Sequence, residues 1–162
     1  MPSTFNDALH SKGPAQDRAE RLALYGWLVG DWEMDAIIYR DEGTELRSRG
    51  EIHAGWVLEG RAIQDVWIVP GVFYGTTLRV YDPGLDAWHI LWSDPLRQYY
   101  SKQIGRARGT GIVQEGASAD GTSTRWSFTE MTPESFHWIG EKSDGQSGWI
   151  RISEFLARRL RA

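Results

Sequence analysis

Aromatic side chains recur at every second position in three segments of the 162-residue chain. The repeats are Trp88, Ile90 and Trp92, then Trp126 and Phe128, then Phe136 and Trp138. Because side chains two residues apart point to the same face of a strand, each repeat is expected to present its rings to one side. If these faces and Trp32 enclose one interior, the rings form a π-rich pocket suited to an aromatic, polycyclic or cationic ligand. The other interpretation, in which the rings simply fill the interior, stays open.

Polar residues between these apolar positions extend the candidate binding site. The expected ligand-binding side chains are Trp32, Gln64, Trp88, Trp92, Tyr99, Trp126 and Trp138. Gln64 lies between Ala62 and Val66, where it would orient a ligand or serve as an ordinary amide of the wall. Asp65 and Arg79 are expected to form an ion pair between neighbouring strands.

Glu130 follows Trp126 and Phe128 at the same spacing of two, which predicts that its carboxyl points to the side of the rings. In an apolar interior the pKa of that carboxyl would rise through desolvation, and the group would act as a general acid or base. We therefore expect Glu130 and Tyr99 to be the catalytic residues if the protein is an enzyme. The alternative is that Glu130, close to the turn at Thr132-Pro133, reaches water.

Several other chemistries are disfavoured by what the sequence lacks. The chain has no Cys, which excludes disulfides, thiolate metal sites and a Cys nucleophile. Its histidines are not spaced as the ligands of a helical zinc site, so no metal is expected; they are His10, His53, His89 and His137. No Gly-x-Ser-x-Gly motif or phosphate-binding glycine loop occurs, and no permanent cofactor is expected. The net charge of −4 argues against a nucleic-acid partner.

Turn residues divide the chain into the elements that must position these side chains. Apolar residues three and four apart predict one N-terminal helix over residues 15–29. About ten short strands follow at even spacing, separated by turns such as Asp82-Pro83-Gly84. This pattern predicts a mainly β protein, an antiparallel up-and-down barrel whose closure removes exposed strand edges.

The ends of the chain set the expected domain boundaries. Residues 1–14 are polar and predict a flexible N-terminal arm, of which residues 1–12 should be dispensable for folding, while residues 15–162 form a single barrel domain. No apolar run approaches the roughly 20 residues that cross a bilayer, so no membrane partner is expected. The first 13 residues show no signal-peptide pattern, which favours a cytoplasmic location.

The strand around Trp67 has large apolar residues on both faces. Trp67 alternates with Val66 and Ile68, and if those two face the interior, Trp67 points outward. An outward Trp predicts packing against the helix or against a second copy of the chain, as in a homodimer.

Two parts of the sequence resemble known proteins. Gly30-Asp31-Trp32, at the start of the first long strand, resembles the Gly-x-Trp signature of the calycins, which include lipocalins and fatty-acid-binding proteins. This resemblance implies that Trp32 closes the barrel floor beneath a basic side chain from the C-terminal end, namely Arg151, Arg158 or Arg159. The segments LEGRAIQDVWIVPG, YGTTLRVYDP and FHWIGEKSDG resemble an uncharacterised family of small bacterial lipocalin-like proteins, which implies the fold but no reaction.

Three functions are compatible with such a barrel. The leading hypothesis is binding of a small hydrophobic or aromatic molecule in a Trp-rich cavity. The alternative is a cofactor-independent isomerase, cyclase or lyase that uses acid–base residues in the same cavity. A third hypothesis is a protein-interaction module whose barrel is filled. The fold alone does not choose among them. Whether the interior is hollow or filled does.

Overall fold

Ten antiparallel strands form a closed barrel in the computed structural model, which describes residues 3–161. The barrel strands are β2 (Gly30–Tyr39), β3 (Glu45–Val57), β4 (Ala62–Val69), β5 (Phe73–Asp82), β6 (Ala87–Asp94), β7 (Tyr99–Arg108), β8 (Gly111–Ser118), β9 (Ser123–Thr132), β10 (Ser135–Ser143) and β11 (Trp149–Arg159). Each strand pairs with the next along the chain, and pairing of β11 with β2 closes the barrel. The predicted mainly β, up-and-down barrel is confirmed.

The predicted helix over residues 15–29 is shorter and begins with a tighter turn. Residues Gln16–Arg18 form a 3₁₀ turn that leads into helix α2 (Ala19–Gly26). Its Leu22 and Tyr25 are fully buried because this helix covers one end of the barrel. Among residues 3–161, no helix combines the length and apolarity needed to cross a membrane.

Part of the segment predicted to be a flexible arm has regular structure. Helix α1 (Phe5–Leu9) is capped by Thr4, and the two-residue strand β1 (His10–Ser11) pairs with β3. Helix α1 buries no residue, which agrees with the polar composition of the segment. Met1 and Pro2 of the arm lie outside the described residues, and the mobility of the segment stays a prediction.

Trp32 lies at the closed end of the barrel, where its side chain is fully buried. Its indole Nε1 donates to the carbonyl of Leu28 at 2.9 Å, which ties the first barrel strand to the end of the helical segment. The guanidinium of Arg159 lies over the Trp32 ring, 4.2 Å from its centroid. Of the three arginines that the calycin resemblance left open, Arg159 is therefore the one that covers this Trp.

The expectation that Trp67 points outward is wrong. Ile63, Asp65, Trp67 and Val69 are buried at alternate positions of β4, whereas Gln64, Val66 and Ile68 are partly exposed on the outer face. Apolar residues occupy both faces of this strand, so alternation alone could not tell the inside from the outside. The inward face of β4 carries the ring of Trp67 and the buried carboxylate of Asp65.

Candidate functional site

The end of the barrel opposite α2 encloses a cavity of about 940 Å³. Its wall comes from the halves of the strands next to the loops at residues 70–72, 95–98, 119–122 and 144–148. The other half of the barrel is packed with Trp27, Trp32, Phe128 and Phe136, whose rings contact one another edge to face. The barrel is thus filled at the end that α2 covers and hollow at the opposite end. The hypothesis of a filled barrel is therefore wrong for the hollow half.

Five aromatic rings in a closed cycle of contacts line the cavity. The contacts run from Phe73 to Trp92 (6.0 Å between centroids), on to Trp126 (6.4 Å), Trp138 (5.6 Å) and Phe155 (4.8 Å), and back to Phe73 (5.7 Å). All five side chains line the cavity. The predicted binding residues Trp92, Trp126 and Trp138 are therefore brought together, as the spacing of two indicated.

Two inward glycines make room for these rings. A Cβ at Gly75 would lie 2.5 Å from the Trp92 ring, and a Cβ at Gly140 would lie 2.7 Å from the Trp138 ring. Any larger residue at either position would push a ring into the cavity. Glycine inside a strand is otherwise unfavourable, so these two positions indicate where a ring lies close to a neighbouring backbone.

A buried polar network lies between the hollow and the filled halves of the barrel. Arg79 donates from Nε to Asp65 Oδ2 at 2.7 Å, and from Nη1 to Gln114 Oε1 at 2.6 Å. The hydroxyl of Tyr25 donates to the same Gln114 oxygen at 2.9 Å, and the backbone N–H of Thr77 donates to Asp65. Both charged side chains are at most 2% exposed. The ion pair predicted from the sequence is confirmed, and its position inside the barrel is a new finding.

Burial determines the protonation of Tyr25. Removal of its side chain from water raises the pKa of the Tyr25 hydroxyl, although the nearby Arg79 charge acts in the opposite direction. Tyr25 therefore keeps its proton and acts as a neutral donor to Gln114. Arg79 also lies over the Tyr25 ring, 5.0 Å from its centroid, so α2 and the barrel wall are joined through one cation.

The expectation that Glu130 points into the interior is wrong. Its side chain is 77% exposed and contacts His137 Nδ1 at 3.1 Å on the outer face. The β9–β10 pairing shifts register at this point, and Glu130 has a φ of 49°. This β-bulge interrupts the alternation that holds at Trp126 and Phe128, so the carboxyl is turned toward water.

Tyr99 and Glu130 do not form an acid–base pair. Tyr99 begins β7 at the mouth of the cavity, where its hydroxyl lies 2.6 Å from Ser118 Oγ. Glu130 lies near the end of β9, at the opposite end of the barrel. Tyr99 can contact a molecule that enters the cavity, whereas Glu130 cannot.

Three of the other predicted binding residues lie outside the cavity. Trp32 is packed at the closed end, and Trp88 is buried there against Tyr25, with 4.7 Å between ring centroids. Gln64 faces outward and donates to Thr76 Oγ1. Alternation correctly indicated that Trp32 and Trp88 face the interior, and it was ambiguous for Gln64. Alternation does not show how far along the barrel axis a side chain lies.

Three of the histidines belong to polar clusters on the outer surface. His53 contacts Asp31 and Glu51, His89 contacts Asp82, and His137 contacts Glu130 and Glu154. None of them lines the cavity. Within the part of the chain that the structure describes, no group of three or more His, Asp or Glu side chains is arranged to hold a metal ion.

Among the cavity residues that the sequence did not predict are Trp67, Phe73, Arg79 and Phe155. Trp67 lies on the same face of β4 as Asp65, and Arg79 of β5 is paired with Ile63, which lies on that face too. A correct assignment of the inward face of β4 would therefore have placed the ion pair in the interior. Phe73 and Phe155 have no aromatic residue two positions away, so the alternating aromatic pattern did not point to them.

A closed antiparallel barrel with a helix over one end, Trp32 at its floor and an Arg on that Trp defines a lipocalin/calycin-like fold. Two solved structures share it. Rv2717c from M. tuberculosis superposes with a TM-score of 0.64 at 12% identity, over 88% of this chain and 99% of its own. The S-type phycobiliprotein lyase CPES from Guillardia theta superposes with a TM-score of 0.62 at 14% identity, over 92% and 99%. No protein-family model and no curated protein matches the sequence.

Proposed function

We propose that the protein binds a small, largely apolar aromatic molecule in the open half of its barrel. The observation that carries this proposal is the cycle of five aromatic rings that lines a cavity of about 940 Å³. Small-molecule sites in proteins are typically concave, about 300–1,000 Å³ in volume, and apolar with a few placed polar groups. The likeness to the two solved structures supports the fold on which the proposal rests.

The shape of the wall favours a planar ligand. The rings of Trp138 and Phe155 are stacked, with 13° between their planes, and Trp92 meets Trp126 edge to face at 85°. A planar ring system laid against the sides of these rings that border the cavity gains stacking or edge contacts, each worth about 0.5–1.5 kcal/mol beyond area burial. A flexible aliphatic chain gains only the area term.

The test is a titration of intrinsic Trp fluorescence with a panel of aromatic and fatty molecules. Burial of a suitable aromatic ligand is expected to give a saturable change with a Kd near 1 μM, about −8 kcal/mol. An aliphatic molecule of equal size should bind more weakly. If no panel member changes the fluorescence, the cavity does not accept such ligands and the proposal fails.

A matched pair of variants localises the binding. Trp126→Leu removes a ring of the cavity wall and should weaken aromatic ligands about five- to tenfold, since one stacking contact is lost. Trp149→Leu removes a ring that lies outside the cavity, 4.5 Å from the Arg125 guanidinium, and should leave Kd unchanged. Equal effects of the two substitutions would place the ligand outside the barrel.

A further inference from the structure

Arg79 lies at the floor of the cavity with part of its hydrogen-bonding capacity unused. Its Nε and Nη1 are occupied by Asp65 and Gln114. Among the described residues, nothing accepts a hydrogen bond from Nη2, although the side chain is only 2% exposed and lines the cavity. A buried guanidinium that keeps a free N–H beside an empty space is a preformed donor for a ligand atom.

A second unused donor lies in the same wall. The indole Nε1 of Trp67 is buried and has no partner among the described residues, and Trp67 is 4% exposed. The ring of Trp67 also lines the cavity and contacts Trp138 and Phe155, each with 5.8 Å between centroids. Buried donors without partners are rare in folded proteins because each leaves a desolvation cost uncompensated.

The charge balance of the floor decides which acceptor suits these donors. Arg79 and Asp65 form a closed ion pair at 2.7 Å, and the other groups that face Arg79 are neutral: Tyr25, Gln114 and Phe128. Arg97 and Lys142 also line the cavity, but at or next to its loops. An anionic ligand group beside the Arg79–Asp65 pair would therefore add a buried charge that this neutral pair does not compensate, which is strongly unfavourable. A neutral oxygen accepts the same hydrogen bonds without this cost.

We propose that the floor of the cavity selects aromatic ligands that carry a neutral carbonyl oxygen at one end. The oxygen accepts a hydrogen bond from Arg79 Nη2, and the indole N–H of Trp67 is the second donor. Ketones, quinones and lactams belong to this class, and carboxylates do not. The inference rests on the proposed function, because it assigns the orientation of a ligand within the same cavity.

Three probes of similar shape test the inference: 2-acetylnaphthalene, 2-isopropylnaphthalene and 2-naphthoate. Titrated into the unmodified protein at pH 7, the ketone should bind at least tenfold more tightly than the carboxylate, about 1.4 kcal/mol. The carbonyl stretch of the bound ketone should move to lower frequency than in an apolar solvent, because two donors polarise it. A carboxylate that binds more tightly than the ketone, or an unshifted carbonyl stretch, would overturn the inference.

Substitutions at the two donors identify them. Trp67→Phe keeps the ring and removes the N–H, and Arg79→Lys keeps the charge beside Asp65 and removes Nη2. Each should weaken the ketone about five- to tenfold and change binding of the hydrocarbon less than twofold. Trp149→Phe is the control and should alter neither. If each substitution weakens binding of the ketone and of the hydrocarbon equally, the donors do not contact the oxygen. The inference then fails while the proposed binding function stands. If none of the three probes binds, the proposed function itself fails.

Discussion

The guanidinium of Arg159 lies 4.2 Å from the centroid of the Trp32 ring, and backbone carbonyls hold it there. It donates to Trp27 and Val29 at the end of the helical segment and to Pro133 in the β9–β10 turn. The last barrel strand thereby ties together the floor ring, the segment after α2 and a neighbouring hairpin. Burial lowers the pKa of Arg159 from its usual value, yet a guanidinium stays charged at any physiological pH.

Loss of the Trp32 ring at the closed end should destabilise the whole barrel. Trp32→Ala is expected to lower the free energy of unfolding by about 3–5 kcal/mol, because a fully buried ring leaves a cavity that the packed half cannot close. Denaturant unfolding followed by circular dichroism measures the change. Trp92→Ala is the control and should cost less, since Trp92 is only partly buried and already borders open space. A Trp32→Ala protein with an unchanged midpoint would contradict the floor assignment.

The hydrogen bonds of Arg159 should contribute to the free energy of unfolding independently of its charge. Arg159→Lys keeps a cation near Trp32 but cannot reach all three carbonyls, and we expect a loss of about 1–3 kcal/mol. The neighbouring Arg158→Lys provides the comparison. Arg158 pairs with Glu33 and Asp35 while 43% exposed, and exposed pairs contribute only about 0–1 kcal/mol. Equal losses for the two substitutions would show that the fork geometry of Arg159 is unimportant.

Truncation separates the two parts of the N-terminal segment. Deletion of residues 1–8 should change the free energy of unfolding by less than about 0.5 kcal/mol, because helix α1 buries no residue. Deletion of residues 1–12 should leave the barrel folded but cost about 1–2 kcal/mol, since β1 and the bond from Leu58 N–H to Leu9 O are lost. Aggregation or unfolding of the longer truncation would show that β1 protects the edge of β3.

The barrel could be predicted from the sequence because its signals are local. Ten strands are separated by turns rich in Gly, Pro and Asp, and apart from the closing β2–β11 pair every pairing among them joins neighbours along the chain. Alternation also assigned Trp92, Trp126 and Trp138 to one interior. Such a meander needs no long-range information beyond the closure of its two ends, and here β2 and β11 provide that closure.

The site could be predicted only in part, for two physical reasons. Alternation fails where both faces are apolar, as at Trp67, and where a bulge changes the parity, as at Glu130. Position along the barrel axis depends on strand register, which no local pattern reports. Trp88 and Trp92 lie on the same face of one strand, yet Trp88 is packed at the closed end and Trp92 borders the cavity.

His53 should titrate above the usual range for a histidine. Its ring bonds Asp31 Oδ1 at 2.7 Å and Glu51 Oε2 at 2.9 Å, and these two hydrogen bonds, the Asp31 bond more strongly, raise the pKa of His53. The unfolded value is about 6.5. The raised folded pKa means that the cluster stabilises the protein fully below about pH 6.5, and that this contribution is lost as pH rises through the folded pKa.

An NMR titration of the His53 ring protons measures this shift directly. Asp31→Asn removes the stronger partner and should bring the pKa back toward 6.5. Because the His53 side chain is 44% exposed, its contribution to stability should be small and should decline with added salt. A pKa at or below the ordinary value in the unmodified protein would show that the two carboxylates do not hold the ring.

Glu130→Gln should leave ligand binding unchanged, although its sequence spacing would place it among the aromatic rings. The side chain is 77% exposed beyond the bulge, and His137 is its neighbour on the outer face. The amide has the shape and reach of the carboxyl, so any effect would come from loss of the titrating group. We expect Kd for an aromatic probe to change less than twofold between pH 5 and 8, whereas Trp126→Leu weakens the same probe. A steep pH dependence abolished by Glu130→Gln, or loss of turnover of any substrate found, would show that this carboxyl reaches the cavity and that the barrel is an acid–base enzyme.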